Sequence, residues 1–231
     1  MCCADRLTSP GLSAGLQLAR ARRKLLVIDG GSRRNRFADS SHGFLGQDGR
    51  APGEITGDGR AQLLKYQNVA WLDAQADAAE NAGDSFSVMA GGERIETRRL
   101  VLATGVSDAL PDVPGLAERW GKAVFHCPYC HGYELNEGRI GVLGVSPLSI
   151  HHALMLPDWG QTTLLLNGAF EPDEGQLAQL KERGAAVERG AIARMVGPRA
   201  DVEMTDGLII PFDGLFTLTR TSMTSPLAEK L

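Results

Sequence analysis

Cysteine is scarce: the 231 residues contain four, too few to staple a chain of this length as the disulfide frameworks of small secreted domains are stapled. Base is not in excess. The formal net charge is -4, so no overall cationic field invites nucleic acid or an anionic membrane as partner. No apolar run approaches the ~18 residues of a membrane span. Asp5 and Pro10 follow Met1 closely, without the basic-then-apolar order of a signal peptide. A reducing cytoplasm is therefore the expected location. Hydrophobic residues make up 43%, enough to bury one large core or two modest ones.

Two of the four cysteines carry the chemistry. Residues 125–134 read Phe-His-Cys-Pro-Tyr-Cys-His-Gly-Tyr-Glu. Cys127 and Cys130 are three apart, a spacing that puts both sulfurs on one turn and within disulfide reach. His126 and His131 flank them and could hold a proton or stabilise a thiolate near neutral pH. The bland alternative is a zinc knuckle. Zinc usually needs four convergent ligands from two separated pairs. Cys2 and Cys3 are adjacent and make no second Cys-x-x-Cys, so no metal is expected.

The rest alternates strand and helix. Residues 11–23 have the apolar spacing of a helix, and residues 25–28 form a buried strand ending in Asp29-Gly30. Helix, strand and terminal acid make the back half of a dinucleotide-binding unit, in which the acid meets an adenosine ribose. A turn-forming Asp-Gly is the alternative. The front half is what the sequence lacks. Gly11 takes the third position of a Gly-x-Gly-x-x-Gly turn, but Arg6 and Thr8 stand where the first two glycines belong. The five residues before Arg6 look too short and polar for a central strand, so an open, unpaired sheet edge and weak binding of a flavin dinucleotide are expected.

Residues 32–59 are rich in glycine and side-chain donors, suited to wrapping a ligand or to forming a solvated basic loop. A helix over 53–66, a strand at 69–72 and a small hairpin over 86–96 follow. Residues 99–105 are a buried strand ending in Ala103-Thr104-Gly105, small enough for backbone to approach a cofactor. Prolines place a boundary near Ala109. A second unit runs strand (139–143), turn, helix from Ile150 and strand (161–166), with Gly144 opening the turn and Ser146 and Ser149 at its other glycine positions. Glu171, Asp173 and Glu174 lie where a 2′-phosphate would sit and should repel it.

The order of parts resembles the thioredoxin-reductase-like pyridine nucleotide-disulfide oxidoreductases. Its carriers are residues 27–30, 34–37, 42–49, 102–105 and the Cys-Pro-Tyr-Cys of 127–130. The resemblance implies an α/β fold of two Rossmann-like three-layer domains: an FAD domain (1–108) interrupted by a nicotinamide-type domain (109–218), with 219–231 starting the return. It implies Cys130 toward the flavin, Cys127 toward a substrate disulfide, and His131 in the place of the family's proton-donating acid. Cofactor contacts fall on Gly11, Asp29, Asn35, His42, Gln47, Ala103, Thr104 and Gly105 for FAD, and on Gly144, Ser146 and Ser149 for NAD(P)H, whose binding should be weak. The implied partners are a small-molecule dithiol or disulfide, or a thioredoxin-like protein, handled by a homodimer. The Pro-Tyr filling and His-Gly-Tyr-Glu tail look most like a branch that includes the oxygen-dependent dithiol oxidases of natural products. The chain also looks incomplete at both ends relative to that family, so a non-catalytic remnant with weak nucleotide binding is the other expectation.

Overall fold

The computed structural model describes residues 2–4 and 9–231. It divides into two compact units: one holds Met1–Arg36, Arg50–Ser107 and Thr221–Leu231, the other Phe37–Gly49 and Asp108–Arg220. The loop Phe37–Gly49, early in the sequence, thus groups with the second unit.

In unit 1 the chain runs β1 (Cys2–Ala4), α1 (Ser9–Arg20), β2 (Leu25–Ile28), α2 (Pro52–Leu64), β3 (Val69–Leu72), β4 (Ala76–Ala82), β5 (Ser85–Ala90), β6 (Glu93–Thr97) and β7 (Leu100–Leu102). The sheet order is β3-β2-β1-β7, all parallel. The expected absence of a first strand is therefore wrong. Residues 2–4 are the central strand, with Cys3 opposite Val27 on one side and Val101 on the other. Three residues suffice because both neighbours supply ladders, so pairing rather than intrinsic propensity holds them extended. Arg6 and Thr8 lie outside the described residues.

The period-2 alternation of β2 shows how the layers form. Leu25 and Val27 pack with Leu12, Ala19 and Leu63 of the two helices. Leu26 and Ile28 face Ala76, Ala79, Val88 and Ala90 of the antiparallel sheet β4-β5-β6. The strand β4 was not expected; its alanine-rich sequence favours helix intrinsically, and pairing with β5 overrides that. The helices approach closely because of glycine. A Cβ on Gly59 would stand 2.7 Å from a methyl of Leu12.

Unit 2 repeats the plan. It begins in β8 (Val106–Ala109) and continues with β9 (Val124–Phe125), α3 (Pro128–His131), β10 (Glu137–Leu143), α4 (Ser149–Met155), β11 (Gly160–Leu165), α5 (Glu174–Glu182) and β12 (Ala186–Glu188). An antiparallel trio follows, β13 (Ile192–Val196), β14 (Asp201–Met204) and β15 (Ile209–Ile210), then β16 (Gly214–Thr217); β17 (Arg220–Met223) and α6 (Leu227–Lys230) return the chain to unit 1. The parallel sheet is ordered β12-β11-β10-β16-β9. Val142, Leu164 and Phe216 face α4 and α5 through Ile150, Ala153 and Leu180. Leu143, Leu165 and Leu215 face the trio through Met195, Val202 and Met204. Each unit is thus a Rossmann-like three-layer body. Among the described residues, no helix is long and apolar enough to cross a membrane.

Candidate active site

Cys127 is the extended residue that caps α3, and Cys130 lies inside that one-turn helix. Proline at the first helical position has its φ preset and no amide to leave unpaired, so Pro128 starts the turn at once. The Cys130 S–H donates to Cys127 Sγ at 2.9 Å. The Cys130 thiol is pushed up to about 12, first by burial, then by its bond to Cys127, then by the charges of Cys127 and Glu134. Burial and its neighbours thus hold the proton on Cys130.

Neighbouring rings fix this turn. His131 stacks on Phe125 at 4.4 Å, and burial lowers its basicity; the Glu134 carboxylate opposes that shift and His42 adds to it. After His131 the chain must turn against Trp159. A Cβ on Gly132 would stand 2.7 Å from the Pro128 carbonyl oxygen and 2.7 Å from the Trp159 ring, so only glycine fits. Trp159 also meets the Tyr129 ring edge-on at 5.2 Å. On the other flank, His126 Nδ1 lies 3.4 Å from the Thr217 carbonyl, and its ring is edge-on to His152 at 5.9 Å. His152 is buried and drops to about 4 through burial, then through His126 and His151; its Nδ1 has no hydrogen-bond partner. Among the described residues, no group of three or more His, Cys, Asp or Glu side chains could hold a metal ion.

The residues expected to touch a dinucleotide separate into two groups. In unit 1, Gly11 lies in the first turn of α1 just beyond β1, Asp29 follows β2, and Ala103, Thr104 and Gly105 follow β7. Because β1, β2 and β7 are parallel, all of these stand at the carboxyl edge of one sheet, where open α/β sheets bind ligands. Asp29 Oδ1 accepts the Gly31 amide at 2.9 Å, Thr104 is buried and Gly105 has φ 68°. Arg33, four residues past Asp29, buries its Nε with no partner among the described residues. Asn35 is exposed in the following turn. His42 and Gln47 lie in the loop that groups with unit 2, where His42 contacts Glu134 rather than the other expected cofactor residues.

In unit 2 the turn over residues 144–149 uses its own polar groups. The Gly144 amide bonds the Leu165 carbonyl, Val145 donates to Ser149 Oγ at 3.1 Å, and the Ser149 amide bonds the Ser146 carbonyl. The acids beyond β11 also have local partners. Asp173 caps α5 in a reciprocal capping box with Gln176, and Glu171 pairs with Arg189 at 2.9 Å. Two of the three carboxylates expected to repel a 2′-phosphate thus do structural work. Two cavities, of about 500 and 1000 Å³, open beside Lys24 and Thr97, at the amino ends of β2 and β7. They lie at the opposite end of the sheet from Asp29 and Thr104.

Sequence reasoning gives no role to Glu134 or His152. Glu134 was findable: it stands four residues after Cys130, the spacing of side chains that neighbour across one helical turn. Nothing in the sequence marks His152 as buried.

A family model described as pyridine nucleotide-disulphide oxidoreductase matches residues 9–221. The chain belongs to that family. Among solved relatives of this pyridine nucleotide-disulphide oxidoreductase, the oxidoreductase from Agrobacterium tumefaciens is 50% identical with a TM-score of 0.95, over 99% of this chain and 78% of that one. HlmI is 35% identical with a TM-score of 0.93, over 100% and 74%. Thioredoxin reductase tcpT of Claviceps purpurea is 41% identical over 142 residues, 60% of this chain and 44% of that protein. The match therefore spans less than half the length of this curated relative.

Proposed function

We propose that the chain is a flavin-dependent thiol–disulfide oxidoreductase of thioredoxin-reductase type, with Cys127 and Cys130 as its redox pair. The observation that carries this is the capped turn itself: two sulfurs 2.9 Å apart, with the proton kept on Cys130. Cys127 Sγ attacks one sulfur of a substrate disulfide, that S–S bond breaks, and the leaving sulfur takes up a proton. Cys130 then gives its proton to His131, whose neutral form burial favours, and attacks Cys127 Sγ in the mixed disulfide. The second substrate sulfur leaves as a thiol. Two electrons have passed from the cysteine pair to the substrate, and the pair ends as a disulfide. Run backwards, the same exchange oxidises a dithiol.

Residues at the carboxyl edge of unit 1 fit FAD. The buried, unpartnered Arg33 Nε calls for an acceptor, Asp29 stands where a ribose is held, and the small Ala103 and Gly105 let a ring approach. When bound, FAD supplies the two-electron centre that connects the cysteine pair with the terminal partner. We assign Cys130 to the flavin side, a small dithiol or disulfide or a thioredoxin-like protein to the Cys127 side, and the cytoplasm and a homodimer as the setting. The turn over 144–149, whose Gly144, Val145 and Ser149 amides are already bonded, favours a second reading in which oxygen rather than a nicotinamide takes the electrons.

Thiol labelling read by mass spectrometry tests the pair. Under oxidising conditions both cysteines should be protected. After reduction both should label, Cys127 first. Equal labelling of both before reduction would overturn the assignment.

A further inference from the structure

One carboxylate in the redox turn meets an imidazole from another loop and acts electrostatically on a second. His42 comes from the loop Phe37–Gly49, and its Nδ1 lies 3.4 Å from Glu134 Oε1. The other groups around it are Asp48, 3.7 Å from the same nitrogen, and Ser40, whose hydroxyl lies 2.9 Å from Nε2. Asp48 also serves its own loop by accepting the Gly43 amide. Glu134 belongs to the short turn Tyr133–Leu135 that continues from α3. It is thus the carboxylate that reaches His42 from the redox turn. Its charge also acts on His131 and Cys130 of α3, three and four residues before it.

We propose that Glu134 is the positioning residue of the redox centre: it fastens the loop Phe37–Gly49 to the cysteine turn through His42, and its single charge is shared between His42 and His131. The inference rests on the reading of Cys127 and Cys130 as the redox pair, and adds what governs their protons. A carboxylate stabilises one adjacent imidazolium well and a second one poorly, because the two cations repel. Positive charge at His42 therefore opposes positive charge at His131. Glu134 also resists ionisation of Cys130, since a thiolate beside a carboxylate is a like-charge pair. One residue in this way links the loop, the proton acceptor and the thiol.

The experiment compares the reduced full chain with Glu134→Gln, Glu134→Asp and His42→Gln. The imidazole of His131 is titrated by NMR, and alkylation of Cys130 is followed by mass spectrometry across the alkaline range. Glu134→Gln should move the His131 titration to lower pH and raise the Cys130 alkylation rate severalfold at fixed pH. Glu134→Asp should bring both back toward the parent. His42→Gln should move His131 the opposite way, to higher pH, and leave Cys130 where it was. A merely structural role for Glu134 does not yield opposite shifts in two variants. Unmoved titration and alkylation in a folded Glu134→Gln chain overturn the proposal. Should that variant not fold, His131 titrating as in the parent in His42→Gln overturns it. These readouts are separate from disulfide formation in the parent chain, whose absence would instead sink the redox assignment.

Discussion

After β2 of unit 1 the chain places Asp29, and after β11 of unit 2 it places Asn167. Asn167 is consumed: its Oδ1 accepts the Ile192 amide at 2.8 Å, and it holds a left-handed turn at φ 48°. Asp29 bonds the Gly31 amide of its own turn, and Arg33 beyond it buries an N–H for which the described residues offer no acceptor. A guanidinium N–H left unmet inside a protein is costly, so such an atom points to an acceptor from outside. Unit 2 has spent the polar groups at the carboxyl edge of its sheet on itself. In unit 1 the unmet Arg33 donor fits the proposed flavin site.

The most forceful way to break this comparison is to remove the unit 1 groups. Asp29→Ala together with Arg33→Ala deletes two charge-assisted contacts. At about 1.5–3 kcal/mol each, FAD retention should fall on the order of a thousandfold. Flavin absorbance of the purified protein reads this directly. The matching change in unit 2, Asn167→Ala, should leave flavin untouched. Equal retention in the double variant and the parent would mean that Arg33 is an orphan for some other reason.

A second test sharpens the contrast from the side of unit 2, whose unmatched buried atom is His152 Nδ1. An imidazole can stay neutral where a guanidinium cannot, so this orphan shows itself through pH. The ordinary value is near 6.5 and the folded value about 4, so between them the unfolded chain binds more protons and stability rises with pH. The contribution is whole above about pH 6.5 and is lost as pH falls toward 4, on the order of 3 kcal/mol. His152→Leu should flatten that slope in urea unfolding measured across the acid range. An unchanged slope would show that His152 is not the group that titrates.

Much of this fold is legible because alternation is. The strands at 69–72, 139–143 and 161–166 fall, within two residues, where apolar periodicity puts them. What the sequence hides is pairing. Residues 2–4 have neither the length nor the composition of a central strand, and only the ladders on both sides make them one. The run at 76–82 has the alanines of a helix and becomes a strand beside β5. The site divides the same way. A Cys-x-x-Cys fixes its geometry within one turn, so spacing was enough to bring Cys127 and Cys130 together. His42 meets Glu134 across 92 positions of chain, and no local pattern encodes that encounter.

The smallest expected effect concerns nicotinamide selectivity. From sequence, Glu171, Asp173 and Glu174 looked like a negative wall against a 2′-phosphate. In the structure Arg189 sits against Glu171 with Nε at 3.1 Å and Nη2 at 2.9 Å, and Asp173 is turned into the amino end of α5. Much of the Glu171 charge is thus offset before any ligand arrives, and both partners are more than half exposed, where salt screens what remains. Glu171→Gln should therefore favour NADP over NAD by no more than about fivefold, equivalent to about 1 kcal/mol, and added salt should erase the difference. Both nucleotides should bind weakly in either chain, because the Gly144, Val145 and Ser149 amides of this turn already have acceptors. Calorimetric titration of the two nucleotides at low and high salt measures this. Tight NADP binding by the parent would show that bonded amides at the edge of unit 2 still open for a phosphate, and the contrast between the units would collapse.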